Sequence, residues 1–175
     1  SQSEKWTVGV REVLTQYAEI FEQVDVEDGD IVIWPEAALP AALLQTDGMT
    51  EAVSALIGDG TLIAGTPRYE TYERPTPVWF NSLAVLNQES ARSGPLAIYD
   101  KHRLVPGAIQ RLATDGFHTG PGPTVIYADD VPPFVALICY EGLYPSIPRK
   151  THPRADWMVL VSNDGWFGEG WGPPQ

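Results

Sequence analysis

The apolar positions of the chain divide it into helix-like and strand-like segments. From Val10 to Val24, apolar residues recur at steps of four and three, the spacing of a helix packed on one face. A shorter helix is predicted from Thr50 to Ile57. Short apolar runs between polar turns predict strands, and the last two lack alternation, which suits strands covered on both faces. The predicted strands are 31–34, 61–65, 81–86, 96–99, 134–138 and 157–161.

Proline and glycine mark the ends of these segments. Pro35 ends the first strand because it cannot donate to a central ladder, and a turn is predicted at Thr66–Pro67. The Gly/Pro-rich stretch 106–124 is predicted to be a loop with one turn of helix near 109–113. Strands that alternate with helices over 175 residues favour one layered α/β domain, covering residues 1–175.

Composition and charge exclude several kinds of partner and site. The formal net charge of −12 repels phosphate backbones, so nucleic acid is not an expected partner. The single cysteine excludes an internal disulfide and a multi-cysteine metal site. The three histidines, His102, His118 and His152, lack metal-ligand spacing, so we expect no metal and no cofactor. No apolar run is long enough to span a bilayer.

Three chemically reactive residues lie within two positions of a predicted strand end: Glu36, Lys101 and Cys139. Open sheets gather catalytic groups at strand ends. A thiol nucleophile needs a base for its proton and a positive charge for the oxyanion, which a glutamate and a lysine supply. Taken singly, each residue also has an ordinary explanation, as an inert core thiol or a solvated charge.

Four segments carry a resemblance to a known family. They are WPEAALP at 34–40, YDKHRLVP at 99–106, ICYEGLYP at 138–145 and SNDGWFG at 162–168. They resemble the signature segments of the apolipoprotein N-acyltransferases, a branch of the nitrilase or carbon-nitrogen hydrolase superfamily. The resemblance implies a nitrilase-like α-β-β-α sandwich and a catalytic triad of Glu36, Lys101 and Cys139. It also implies that Tyr140 and Glu141 support activity, although both equally suit a packed aromatic ring and a structural carboxylate.

The resemblance implies a two-step acyl transfer. A phospholipid acyl donor would acylate Cys139, and the amine of a diacylglyceryl lipoprotein would accept the chain. Glu36 would be the general base, and Lys101 would stabilise the oxyanion. The implied location is the periplasmic side of the bacterial inner membrane, with membrane attachment through segments outside these residues.

The sequence departs from the family pattern after Pro106. The family continues this segment with a phenylalanine, a glycine and an essential glutamate, whereas Gly107 is followed here by Ala108 and Ile109. Either the lid is shortened in this protein or residues of a mobile arm are missing after Pro106, and we expect the second. We also expect the chain to be an interior, incomplete piece of the domain, without its first strand and its C-terminal part.

Two other functions remain open. A soluble amidase of the same superfamily would use the same triad to hydrolyse a small amide, and a non-catalytic scaffold would keep the fold without turnover. Tyr140–Glu141 and the SNDGWFG segment favour the acyltransferase branch. Trp166, Phe167 and Trp171 suit either a lipid-facing surface or a cap on the core.

Overall fold

A computed structural model describes residues 2–41, 43–46, 48–71, 76–106 and 116–163, with side chains from residue 12 onward. The helices are α1 (Gln2–Phe21), α2 (Met49–Ile57), α3 (Ser90–Ser93) and α4 (Ser146–Lys150). The strands are β1 (Ile31–Trp34), β2 (Thr61–Glu70), β3 (Val78–Leu86), β4 (Ala97–Asp100), β5 (Val125–Ala128), β6 (Val131–Ile138) and β7 (Trp157–Val161). Short 3-10 turns cover Leu43–Gln45 and Cys139–Leu143.

The strands form two sheets. The first has the order β1-β2-β3-β4, with β1 parallel to β2 and the other pairs antiparallel. The second has the order β5-β6-β7, in which β6 and β7 are parallel and Ile138 pairs with Val161. The last residues of β6 and β7 therefore lie side by side at one edge of the second sheet.

Three apolar clusters define the layers. Between the sheets, Ile63 and Leu83 belong to the same buried cluster as Phe134 and Ile138. The outer face of the first sheet packs on helices, as shown by the Tyr17 ring of α1, which stacks on Trp34 at 3.7 Å. The outer face of the second sheet contacts Ile147 of α4. This helix–sheet–sheet–helix order confirms the predicted α-β-β-α sandwich.

The predicted turn at Thr66–Pro67 is wrong, because β2 continues through both residues to Glu70. β1 pairs with β2 only as far as Ala64, so beyond that point one side of β2 has no ladder to maintain. Pro67 lies there opposite Asn81 of β3, and its missing N–H interrupts no pairing with β1. A proline thus marks an edge here rather than a turn.

Other differences are smaller. β5 and the short helices α3 and α4 were not predicted, and β3 begins at Val78 rather than Asn81. The predicted helical turn near 109–113, the departure after Pro106 and the aromatic residues from Trp166 onward lie outside the described residues. In the ranges given above, no helix has the length and apolar character needed to cross a membrane.

Candidate active site

Glu36 is held in a tight bend at the end of β1. Its neighbour Ala37 has a left-handed backbone with φ of 53°, which a residue with a Cβ adopts only at a cost. Gly65 of β2 lies so close that a Cβ there would be 2.6 Å from the Glu36 Cα. Only glycine permits this approach. The bend turns the Glu36 carboxyl away from solvent, and Glu36 is only 4% exposed.

Lys101 meets Glu36 directly. The Lys101 Nζ lies 3.2 Å from Glu36 Oε1, and the lysine is also only 4% exposed. Its backbone is fixed on both sides, because its N–H donates to the Asn81 carbonyl at 2.8 Å and its carbonyl accepts from Gly120 N at 2.9 Å. A buried ion pair of this kind is costly to form unless other hydrogen bonds complete it.

Two asparagines complete the hydrogen bonds of Glu36. Asn81 Nδ2 donates to Glu36 Oε1 at 2.7 Å. The backbone N–H of Asn163, just after β7, donates to Glu36 Oε2 at 3.2 Å, and its side-chain Nδ2 donates to the Glu36 carbonyl at 3.3 Å. The Glu36 carboxylate thereby joins the end of the second sheet to the first.

Cys139 is the first residue after β6 and begins the 3-10 turn Cys139–Leu143. Its φ is 51°, a left-handed conformation that is uncommon for a residue other than glycine. Such strained turns after a strand are how other folds present a nucleophile at a sheet edge. Cys139 is partly buried against the cluster between the sheets.

Glu141 fastens the turn of Cys139 to the loop of Lys101. It is fully buried, and its Oε1 accepts from the backbone N–H groups of His102 at 2.9 Å and Arg103 at 3.0 Å. Tyr99 donates its hydroxyl to the same oxygen at 2.8 Å, and Ile138 N donates to Oε2 at 2.9 Å. These bonds support the structural interpretation of Glu141.

Tyr140, the second residue of the turn, pairs with the aromatic ring of Tyr144. Tyr144 donates its hydroxyl to the Tyr140 oxygen at 2.8 Å, and the rings meet edge to face at 5.3 Å. The Arg103 guanidinium lies 4.4 Å from the centre of the Tyr144 ring. The hydrogen bond between the two phenols, followed by burial, raises the pKa of Tyr140, whereas the charge of Arg103 lowers it.

A second ion pair, between Arg68 and Asp100, lies on the face of β4 opposite to the side to which Lys101 points. Asp100 precedes Lys101, and Arg68 donates Nε and Nη2 to its two oxygens at 2.8 and 2.6 Å. Ser82 Oγ adds a bond of 2.6 Å to Asp100. Because successive residues of a strand point to opposite faces, this pair anchors β4 while leaving Lys101 facing Glu36.

The structure thus brings Glu36 and Lys101 into contact and holds the Cys139 turn on both sides. On one side, Glu141 bonds to the residues after Lys101. On the other, the paired end of β7 leads to Asn163, which bonds to Glu36. The sequence analysis did not single out Asn81 or Asn163, although Asn163 lies in the SNDGWFG segment.

The imidazole rings of His102 and His118 have neighbours other than Glu36, Lys101 and Cys139. His102 Nδ1 is 3.1 Å from the Gly120 carbonyl, and the His118 ring packs near Phe80. Across the described part of the chain, no group of three histidine, cysteine or acidic side chains is placed to hold a metal ion.

The fold and this arrangement define a class of protein. The chain belongs to the carbon-nitrogen hydrolase family, whose family model matches residues 3–175. A crystal structure of the carbon-nitrogen hydrolase from Helicobacter pylori G27 has the same fold, with a TM-score of 0.64 and 16% identity. That match covers 87% of this chain and 55% of the other.

The more similar relatives lie in one branch of the family. The chain is 38% identical over 167 residues to the apolipoprotein N-acyltransferase of Caulobacter vibrioides, covering 83% of this chain. It is 33% identical over 168 residues to that of Bradyrhizobium diazoefficiens, covering 86%. These matches confirm the predicted resemblance, and the chain spans 31% of the length of each of these two relatives.

Chemically, the arrangement offers a carboxylate and an ammonium shielded from water, next to the strand end that carries a thiol. A shielded pair of this kind acts more strongly on a reacting group than the same pair in water, because the surrounding dielectric is low. Reactions that need a thiol nucleophile, a base and an oxyanion donor fit the site best.

Proposed function

We propose that this chain carries the catalytic centre of an acyltransferase in which Cys139 is the nucleophile, Glu36 the general base and Lys101 the oxyanion donor. The observation that supports it most is the buried contact of 3.2 Å between Lys101 Nζ and Glu36 Oε1, beside the end of the Cys139 strand. A shielded carboxylate and ammonium at the strand end that carries a cysteine supply the base and the oxyanion donor that a thiol nucleophile needs.

In the first step, Cys139 attacks an ester carbonyl of a phospholipid. The thiol proton passes to Glu36 as the S–C bond forms, and Lys101 stabilises the negative oxygen, together with the backbone N–H of Tyr140. The ester C–O bond then breaks, and Glu36 returns the proton to the departing lysophospholipid oxygen. The product is a thioester on Cys139.

In the second step, the α-amine of a diacylglyceryl lipoprotein attacks the thioester. The N–C bond forms, Glu36 takes a proton from the nitrogen, and the C–S bond breaks to give an amide. The thiolate recovers that proton, which returns Cys139 to its starting state. Both substrates carry acyl chains, so the intact enzyme would work at a membrane, held there by segments outside these residues on the periplasmic side of a bacterial inner membrane.

The test is the mass of the intact full-length enzyme after incubation with a phospholipid and no acceptor. Wild-type enzyme should gain one fatty acyl group that hydroxylamine removes, because a thioester is cleaved under mild conditions. Cys139→Ala should gain none, and Glu70→Gln, outside the site, should behave as wild type. An acyl group retained in Cys139→Ala would contradict the assignment.

The acceptor step separates the acyltransferase from an amidase. Once the thioester has formed, adding a diacylglyceryl-cysteine peptide should transfer the acyl chain to its amine. Transfer only to water, with no N-acyl peptide, would favour the amidase. Failure of Cys139 to form any thioester while the protein remains folded would favour the scaffold.

A further inference from the structure

Three side chains beside the Cys139 turn form a cluster of one cation and two phenols, here called the Arg103 cluster: Arg103, Tyr140 and Tyr144. The Arg103 guanidinium lies over the Tyr144 ring at 4.4 Å, and Tyr144 donates its hydroxyl to Tyr140 at 2.8 Å. Stacking on an aromatic face fixes the direction of a guanidinium at little electrostatic cost. The cluster is therefore an oriented charge rather than a free surface arginine.

Each member of the Arg103 cluster is tied to the residues around the nucleophile. The Arg103 N–H donates to the Glu141 carboxylate at 3.0 Å, and the Tyr144 N–H donates to the Glu141 carbonyl at 3.0 Å. Tyr140 directly follows Cys139. The cluster thus keeps a fixed position relative to the thiol, which a substrate-binding group requires.

Arg103 differs in its surroundings from two buried cations of the chain, Lys101 and Arg68. Lys101 is paired with Glu36, and Arg68 is paired with Asp100 and Glu70. Arg103 is exposed, and the ion pairs within the described ranges do not include it. An exposed guanidinium that takes part in none of these ion pairs attracts an anionic group.

The phenols add hydrogen-bond donors. Because Tyr144 donates to the Tyr140 oxygen, the Tyr140 proton remains to be donated to another acceptor. The raised pKa of Tyr140 means that its hydroxyl carries its proton at neutral pH. A guanidinium beside a phenolic donor suits the oxygens of a phosphate.

We propose that Arg103 and Tyr140 bind the phosphodiester of the acyl donor's headgroup, so that the cluster recognises a glycerophospholipid. This inference rests on the proposed acyl transfer. In such a lipid only the short glycerol backbone separates the phosphate from the ester carbonyl. A phosphate held at the Arg103 cluster therefore leaves the ester within reach of the neighbouring Cys139.

The main test compares two donors in the full-length enzyme: a phospholipid and an uncharged fatty-acyl p-nitrophenyl ester. We define the donor ratio as the efficiency of thioester formation with the phospholipid divided by the efficiency with the neutral ester. This ratio should fall at least about tenfold in Arg103→Gln, which corresponds to about 1.4 kcal/mol. The loss should appear mainly as a higher phospholipid concentration at half-maximal rate. Arg103→Lys, which keeps the charge, should recover part of the ratio.

The control is Arg92→Gln, which removes the same charge from an exposed residue of α3. This helix lies between β3 and β4, at the opposite end of β4 from Lys101. The donor ratio of this variant should equal that of wild type. An equal loss with both donors in Arg103→Gln would mean that Arg103 only supports the structure, and an unchanged ratio would mean that it does not meet the phosphate. Either result would overturn the proposal.

A second measurement needs no lipid and separates this inference from the proposed function. Iodoacetate and iodoacetamide alkylate the same thiol, but only iodoacetate is an anion. The ratio of their rates at Cys139 should fall in Arg103→Gln and stay unchanged in Arg92→Gln. If wild type forms no thioester with any donor, the proposed function fails, and this ratio still decides whether Arg103 attracts an anion. An unaltered ratio in Arg103→Gln would contradict the site.

Discussion

Two buried glutamates flank the candidate site, and their hydrogen-bond partners differ in kind. Glu36 is 4% exposed and Glu141 is fully buried. The carboxylate of Glu36 accepts from two side chains, Lys101 and Asn81, and from one backbone amide. The carboxylate of Glu141 accepts from three backbone amides and the hydroxyl of Tyr99.

This difference in donors indicates that Glu36 can change its protonation state, whereas Glu141 holds two segments of the chain in place. A backbone N–H is fixed by the fold and never gives up its proton, so Glu141 works as a permanent fastening between two segments. Side-chain donors such as the Lys101 ammonium reorient with small movements and respond to a change of charge. Glu36 is accordingly the carboxylate suited to proton transfer.

The largest expected effect is the loss of activity in Glu36→Gln. The amide keeps the shape of the side chain but cannot accept the thiol proton, so thioester formation should slow by about 10²–10⁴-fold. Measurement of the single-turnover rate in the full-length enzyme checks this. Glu70→Gln, which removes a carboxylate paired with Arg68 on the other face of the sheet, should retain the rate. Equal rates for Glu36→Gln and wild type would remove the distinction between the two glutamates.

The next effect is a loss of stability in Glu141→Gln. One carboxylate oxygen becomes an NH₂ group that faces a fixed N–H donor, and each buried donor left without an acceptor costs about 1–3 kcal/mol. We expect the free energy of unfolding to fall by about 2–4 kcal/mol, as measured by urea denaturation. A variant as stable as wild type would show that the bonds from His102, Arg103 and Ile138 contribute nothing.

The smallest effect concerns Tyr99, whose hydroxyl donates to Glu141. Burial raises the pKa of Tyr99, and the negative charge of Glu141 adds to this. Folding therefore favours the neutral phenol, and this contribution is complete below the unfolded tyrosine pKa of about 10 and declines above it. At pH 8, Tyr99→Phe should be less stable than wild type by about 2 kcal/mol.

The same variant supplies the pH test. Above pH 10, wild type should lose the Tyr99 contribution at about 1.4 kcal/mol per pH unit, whereas Tyr99→Phe has no such group to titrate. The stability gap between the two proteins should therefore shrink between about pH 10 and pH 11.5. A gap that stays constant with pH would show that Tyr99 ionises as freely in the folded chain as in the unfolded one.

Much of the fold follows from local patterns. Apolar runs located β1, β6 and β7, and the polar residues after them placed Glu36 and Cys139 at strand ends. The four-layer order required the family resemblance, because apolar periodicity does not say which sheet a strand joins. β5 was missed since its four residues include the exposed Tyr127 and follow a stretch rich in glycine and proline.

The contacts that complete the site are long-range and leave no local signal. Asn163 lies 127 positions from the Glu36 that it bonds, and Asn81 lies 45 positions away. The role of Gly65 is likewise visible only when β2 is packed against the Glu36 bend. Glu141 lies two residues after Cys139 in the sequence. Its bonds to the backbone after Lys101, however, form only when the two sheets are stacked.

Whether Glu36 activates Cys139 is tested most directly by the rate of Cys139 alkylation by iodoacetamide at pH 7. This reagent is neutral and needs no lipid, so the rate reports how readily the thiol gives up its proton. Glu36→Gln should slow alkylation at least about tenfold, because the base that accepts the thiol proton is lost. Glu70→Gln should react at the wild-type rate. Alkylation of a folded Glu36→Gln at the wild-type rate would contradict the account.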